Sequence, residues 1–355
     1  MELSCGFPFR ASALEKLRSF LFDCGLKYDD RIRYSVCLMD EEGRIAATGS
    51  LDSAGSMDGG AVLKCIAVSP DYQSEGLAAR VLTELVNQAR RNGQHHLFLF
   101  TKPANEALFS GLGFYPIAKT AESLLMENKK NGVADFVAAL ERPAFSDAAG
   151  AKNIGAIVVN CNPFTKGHLY LVETAAKQCD ALHLFIVSED QAAKAAPGAV
   201  HQAPAFPADV RRNLVLAGIA HLPRVYPHPT GPYLISAATF PDYFLKDGPD
   251  AVPPETVNTR LDLAVFAERF ALPMGINCRF VGTEPLDPLT REYNRQMREV
   301  LPAYGVKVVE IPRLEAGGAA ISAGRVRQLL REGNLQAIKE LVPPATFAYL
   351  ETNHG

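Results

Sequence analysis

The sequence predicts an α/β protein of two domains, an α+β unit followed by a unit with a parallel sheet. Three observations predict it. Apolar runs of strand length alternate with amphipathic stretches of helical length, more regularly in the second half. A polar, alanine-rich stretch at residues 128–150 separates the two halves. The 355 residues, 48% of them hydrophobic, allow each half a core of its own. We place the first domain at residues 1–130, a linker at 131–150 and the second domain at 151–355.

In the first half the spacing predicts a helix near residues 11–25, then a hairpin whose arms YSVCLMD and IAATGSL flank the turn EEG. AVLKCIAVSP reads as a strand, and EGLAARVLTELVNQARRNG as a helix stopped by Gly93. HHLFLF reads as a buried strand, and ANEALFSGLGFYPI as a short helix with a last strand. In the second half NIGAIVVN is a buried strand, residues 168–179 a helix, ALHLFIVS a strand and residues 207–221 a helix. RVYPH is weakly strand-like, and helices are expected near 235–246 and 255–270. INCRFVG, a helix at 288–300 and VKVVEIP follow, then helices near 322–332 and 335–350.

Strands joined through helices pair in parallel with right-handed crossovers. Such sheets bind ligands beyond the carboxyl ends of their strands. The loops after Asn160, Val187, Val281 and Ile311 are therefore the places to search.

Charge and composition argue against several classes. The net charge is −3, and no dense basic stripe points to nucleic acid. Arg10, Glu15, Lys16 and Arg18 interrupt the start of the chain, so no secretory leader is expected. No apolar run reaches the roughly 18 residues that cross a bilayer, so no membrane partner is expected. The seven cysteines are odd in number and lack CxxC spacing, which disfavours a disulfide framework or a zinc site. Free thiols suit a reducing cytoplasm, the location expected. No protein-ligated metal is expected.

Two segments carry candidate chemistry. The first is NCNPFTKGH, directly after the first strand of the second domain. It is neither a GxGxxG nor a GxxxxGK motif. Gly167 lets backbone approach a bulky ligand. Thr165 brings a hydroxyl to a helix start, where unpaired amides and the dipole favour phosphate, and His168 offers a nitrogen donor. Local chemistry leaves a second reading open, a threonine cap with a surface histidine. The second segment is GGAAISAGRVRQLL, with Ser322 at a plausible cap and Arg325 and Arg327 in the first turn and a half. Cations there oppose the helix dipole, so the placement is odd for stability and reasonable for a polyphosphate.

Together, TKGH and ISAGRVR resemble the T/HxGH and ISxxxxR elements of the nucleotidyltransferase superfamily. NCNPFTKGH, PTGPYLISAATFPDYFLK, VGTEPLDPLTREYNRQM and ISAGRVRQLL, in that order, resemble the citrate (pro-3S)-lyase ligase family over nearly the whole chain. That resemblance implies a Rossmann-like nucleotidyltransferase fold for residues 151–355. It implies an enzyme that activates acetate with ATP and Mg²⁺ as acetyl-adenylate. The acetyl group then passes to the prosthetic-group thiol of the citrate lyase acyl carrier protein.

The resemblance makes His168, Thr165 and Arg327 the catalytic set, with Arg325 assisting on the β- and γ-phosphates. It carries nucleotide contacts to Asn160, Asn162, Pro163, Phe164 and Gly167, and to Ile321 and Ser322 in the second segment. Gly282 and Glu284 follow a strand and by position face adenosine or the acceptor; an ordinary strand end is the other reading. Thr230, Tyr233, Ser236 and Thr239 are assigned to an acetate or prosthetic-group pocket, against a plain loop with a cap at Ser236. Lys166 departs from the family pattern, and no catalytic role is assigned to it.

In the first domain, VSPDYQSEGLAARVLTEL resembles the acyl-CoA loop of GNAT acetyltransferases, Q/R-x-x-G-x-G/A, filled by Gln73, Gly76 and Ala78. The resemblance implies a GNAT-like fold. On it we expect the loop to dock the CoA-like carrier arm; sensing of acetyl-CoA and a structural role remain open. Three other functions stay open as well. They are a cofactor adenylyltransferase with a phosphopantetheine-type acceptor, a GNAT N-acetyltransferase with a regulatory nucleotide domain, and a nucleotide- or acyl-CoA-responsive binder.

Overall fold

The structure is a computed structural model. It describes residues 1–6, 9–29, 32–52, 60–143, 152–188, 206–236, 238–239, 254–285 and 287–354. The chain divides into two compact units, Met1–Val133 with Ile235–Asp262, and Ala134–Leu234 with Leu263–Gly355.

The first unit contains β1 (Glu2–Gly6), α1 (Ala11–Asp23), β2 (Tyr34–Met39), β3 (Ile45–Asp52), β4 (Gly60–Val68) and α2 (Leu77–Arg91). β5 (His96–Thr101), α3 (Glu106–Gly111), β6 (Tyr115–Lys119) and β7 (Leu124–Glu127) follow. The strands form one sheet in the order β1-β2-β3-β4-β5-β7-β6. β4 and β5 run parallel, and the other neighbours antiparallel. Alternation along β2 separates the two faces. Val36 and Leu38 pack with Val81 and Leu85 of α2, whereas Cys37 packs with Leu17 and Leu21 of α1. Gly49 permits the close approach of α2: a Cβ there would lie 2.7 Å from Val81 Cγ1. Lys64 is fully buried on β4, and its Nζ meets Asp29 and Asp52 at 2.7 and 2.6 Å.

Two strands and a helix of this region escape the sequence reading. β1 is exposed over most of its length and exists through its pairing with β2. β7 is a short segment with no turn chemistry beyond a polar break. α4 (Gly132–Ala138) falls in the stretch read as a linker. Its start is tied by Glu127, whose Oε1 accepts the Val133 N–H at 2.8 Å, a link that local pattern cannot disclose.

The second unit is built on β8 (Ile154–Val159), α5 (Lys166–Ala176), β9 (Ala181–Ile186), α6 (Ala208–Ile219) and β10 (Val225–Pro229). α7 (Pro254–Val265), of which residues 263–265 belong to this unit, leads through a π-helical turn at Phe266–Ala271 into the short α8 (Leu272–Met274). β11 (Cys278–Gly282), α9 (Pro288–Val300) and β12 (Lys307–Ile311) complete the alternation. A small hairpin, β13 (Glu315–Ala316) and β14 (Ala319–Ala320), precedes α10 (Ala323–Arg331), α11 (Leu335–Ile338) and α12 (Pro344–His354). The sheet order is β10-β9-β8-β11-β12, all parallel.

β8 and β9 are near-continuously apolar because helices cover both faces of a parallel sheet. RVYPH is indeed a strand, and it lies at the sheet edge, where Pro227 and Pro229 cost no ladder bond on the outer side. The order reverses at β8, which makes the crevice beside β8 and β11 the switch point of the fold. Gly155 brings β11 close, since a Cβ on it would stand 2.7 Å from the Phe280 ring.

Two expected helices differ. Residues 235, 236, 238 and 239 form turns rather than the helix expected near 235–246, and residues 240–253 lie outside the described residues. The helix expected at 335–350 is two, α11 and α12, because the consecutive Pro343 and Pro344 remove donors and force a new start.

Candidate active site at the carboxyl ends of the second sheet

A cavity of about 540 Å³ opens beyond the carboxyl ends of β8, β11 and β12. Its wall includes Asn160, Thr165, Gly167 and His168 after β8, Gly282 and Glu284 after β11, and Arg313 after β12. Ile321, Ser322 and Arg327 come from the start of α10. The two motifs meet physically at Gly167. A Cβ there would lie 3.0 Å from the Ile321 carbonyl oxygen, so glycine sets the distance between the segments.

Thr165 is the N-cap of α5, and with His168 it forms a reciprocal capping box. Its Oγ1 accepts the His168 N–H at 3.3 Å, and His168 Nδ1 accepts the Thr165 N–H at 3.1 Å. Thr165 Oγ1 and Nδ1 also stand 2.9 Å apart. A backbone N–H can only donate, so Nδ1 must be an acceptor. The neutral ring therefore carries its proton on Nε2, and no partner for Nε2 occurs among the described residues. Burial, reinforced by the positive charge of Arg313, pushes the His168 pKa down to about 4. The ring lies nearly parallel to Phe164, with 5.9 Å between centroids. His168 is thus both a cap and a neutral donor aimed by its own helix start. Of the two readings left open by the sequence, the geometry shows the threonine cap.

The other predicted residues divide. Ser322 caps α10, its Oγ accepting the Arg325 N–H at 3.2 Å. Arg327 lines the cavity, donates to the Asn162 carbonyl and has its pKa lowered by desolvation. Arg325 is exposed and outside the wall. Asn162, Pro163 and Phe164 are buried behind it. Asn162 Oδ1 accepts the Phe206 N–H at 2.9 Å. Phe164 fills the space left by Gly218, where a Cβ would lie 2.4 Å from its ring. Lys166 turns to the Lys339 carbonyl at 3.3 Å and is absent from the wall.

Glu284 lines the cavity in an ion pair with Arg313. Thr230, Tyr233, Ser236 and Thr239 are buried and are not part of the wall of this cavity. Thr230 Oγ1 accepts the Ser188 N–H at 3.0 Å, and Tyr233 packs on Phe136 with centroids 5.2 Å apart. Ser236 and Thr239 close a local turn, the Ser236 N–H donating to Thr239 Oγ1 at 3.1 Å. In the first unit Gln73 and Gly76 are exposed, and Ala78 lies in the first turn of α2.

Sequence reasoning missed Arg313, Arg211 and Asn294. Arg313 had a signal, since it follows a strand whose end was already marked for search. Its Nε donates to the Thr283 carbonyl at 2.7 Å. Asn294 on α9 donates to the Gly282 carbonyl at 3.0 Å and fixes the end of β11. Arg211 had none: in the sequence it is one of two adjacent helical arginines, and packing alone buries it. No cluster of three or more metal-ligating side chains occurs among the described residues.

The family profile described as "Citrate lyase ligase C-terminal domain" matches residues 154–350, and that described as "Acetyltransferase (GNAT) family" matches residues 4–114. The citrate (pro-3S)-lyase ligase of Klebsiella pneumoniae is 47% identical over 296 residues, covering 82% of this chain and 81% of that protein. The protein of the same name from Escherichia coli K12 is 37% identical over 347 residues, covering 95% and 90%. That from Haemophilus influenzae is 37% identical over 344 residues, covering 95% of each. The chain belongs to the citrate (pro-3S)-lyase ligase family of enzymes, with an acetyltransferase-type unit ahead of the parallel sheet that bears the cavity.

Proposed function

We propose that this chain is an ATP-dependent acid–thiol ligase that activates citrate lyase by acetylating the prosthetic-group thiol of its acyl carrier protein. In the first step an acetate oxygen attacks the α-phosphorus of ATP. The bond to the β-phosphate bridging oxygen breaks, and pyrophosphate leaves with the electron pair. In the second step the carrier thiol attacks the acetyl carbon, loses its proton and releases AMP. The observation that carries the reading is His168, a neutral ring with Nδ1 occupied and Nε2–H left as a donor in the cavity wall.

The chemistry asks the residues mainly to position two anions and stabilise growing negative charge. His168 holds an α- or β-phosphate oxygen, with Thr165 orienting its ring. Arg327 supplies the fixed positive charge for the outer phosphates, and Ser322 caps the helix that presents it. Arg313, steadied by Glu284, offsets repulsion between carboxylate and phosphate. The wall carboxylates are engaged: Glu284 pairs with Arg313, and Asp287 accepts the Thr290 N–H. They do not make a protein cage for Mg²⁺, which the proposal leaves to the nucleotide's own phosphates. The exposed loop at residues 73–76 docks the CoA-like carrier arm.

ATP–pyrophosphate exchange, measured with and without acetate, tests the proposal. Exchange should require acetate. Exchange that ignores acetate overturns the ligase reading and favours a cofactor adenylyltransferase. No exchange at all points to a binder or to an acetyltransferase using the first unit.

A further inference from the structure

Arg211, on α6, is fully buried beneath the ends of two strands. Its Nε donates to the Phe206 carbonyl at 3.1 Å. Its Nη1 donates to the carbonyls of Asn160 and Val187, each at 2.8 Å, and to Asn160 Oδ1 at 2.7 Å. A guanidinium has donors and no acceptor. The amide oxygen of Asn160 is therefore forced toward Arg211, because the flipped amide would set N–H against N–H. The Nδ2 hydrogens are left on the other limb of the amide, and no partner for them occurs among the described residues. Asn160 itself lines the cavity.

We infer that Arg211 is a positioning residue whose hydrogen bonds lock the Asn160 amide so that Nδ2 donates to the anionic ligand in the cavity. The logic repeats that of His168. In each case a donor-only group occupies the acceptor of an ambivalent side chain and leaves its donor for the ligand. A flipped amide would face a phosphate or carboxylate with a carbonyl lone pair, so the lock sets the sign of the interaction as well as its direction. The inference rests on the acid-activating reading and adds the residue that aims one of its donors.

The test uses the full chain, acetate-dependent ATP–pyrophosphate exchange, ATP affinity by calorimetry and the thermal midpoint. Asn160→Asp keeps an acceptor for Arg211 and removes the donor. Its thermal midpoint should hold or rise while exchange falls about 100-fold, the scale of a lost transition-state donor. Near-wild-type exchange in Asn160→Asp overturns the inference. Arg211→Lys keeps the charge without the planar fork and should cost exchange roughly 10- to 100-fold through misplacement of the donor.

In an Asn160→Ala background the same Arg211→Lys change should cost exchange much less, because the amide it aims is gone and only its bonds to backbone carbonyls remain. Equal losses in the two backgrounds mean that Arg211 acts only on stability, and they overturn its positioning role. If Arg211→Lys does not fold, the Asn160→Asp result decides alone. If the wild type shows no acetate-dependent exchange, the functional reading fails. ATP affinity then judges the inference: a weakened Asn160→Asp supports it and an unchanged one overturns it.

Discussion

Residues 73–78 and residues 160–168 both leave a strand, open a helix and read in the sequence as cradles for phosphate. They are built differently. The first is a backbone loop: Ser74 and Gly76 have positive φ, Gly76 stands at the N-cap of α2, and no side chain caps it. Residues 73–76 are exposed. The second is wired by side chains. Thr165 and His168 cap one another, Asn162 anchors to Phe206, and Arg211 grips Asn160. Both helix starts offer a dipole, but at α5 the N–H groups of Thr165, Lys166 and His168 are already engaged by His168 Nδ1, the Leu341 carbonyl and Thr165 Oγ1. Of the two, the second has Asn160, Thr165 and His168 held by their own hydrogen bonds in the wall of a cavity of about 540 Å³. A helix start attracts an anion; fixed donors are what make it a place for chemistry.

The largest expected effect separates the loops by reaction step. His168→Ala should lower acetate-dependent exchange about 10²- to 10³-fold, as removal of a preorganised donor does. Gly76→Val should leave exchange intact and slow transfer to the carrier thiol. Exchange assays beside a thiol-acetylation assay check this. Loss of exchange in Gly76→Val would erase the proposed division of labour.

Next come the two arginines of α10, alike in sequence and unlike in place. Arg327→Ala should weaken ATP binding by about 10- to 100-fold, the scale of a charge-assisted hydrogen bond of about 1.5–3 kcal/mol. Arg325→Ala should change it less than about twofold, as for a screened surface charge. Calorimetric titration of both variants with ATP gives the answer. Equal losses would mean that exposed Arg325 reaches the nucleotide.

Glycines sharpen the contrast in stability. Gly155→Val should destabilise by about 1–3 kcal/mol through collision with Phe280. Gly76→Ala meets open space and should cost only about 1–2 kcal/mol for its left-handed backbone. Chemical denaturation ranks them; the reverse order would show that conformation outweighs packing here.

The smallest expected effect on catalysis is in pH, where the readout is stability. Burial pushes His168 and His183 down to about 4 and His228 to about 3, with Arg313, Arg142 and His183 respectively adding to the shift. Unfolded histidine titrates near 6.5. The unfolded chain therefore binds these protons first, so stability is lost as pH falls from about 6.5 toward 4 and is unaffected above that window. Thermal midpoints between pH 7 and 5 should fall, and His228→Leu should flatten the slope. The proposed Nε2–H donor of His168 should not titrate in the exchange profile above pH 5.

The alternation of the second half, its strand ends and both motifs were legible from residue spacing, because periodicity and caps are local properties. The weak edge strand with its prolines was legible too. The turns at residues 235, 236, 238 and 239 were not, since an apolar stretch with a cap residue looks like a helix until packing bends it. β1 was not, since an exposed strand exists through its neighbour. Phe164 and Asn162 looked like ligand contacts by adjacency to His168, yet the chain folds them behind the wall. The sequence by itself determined which residue types meet a helix start, and hence a class of chemistry. Tertiary structure decided which way they donate. Arg211 is some fifty positions from Asn160, and Arg313 and Arg327 some 150 from His168, so the direction of the Asn160 amide and the low proton affinity of His168 arise only when distant segments pack.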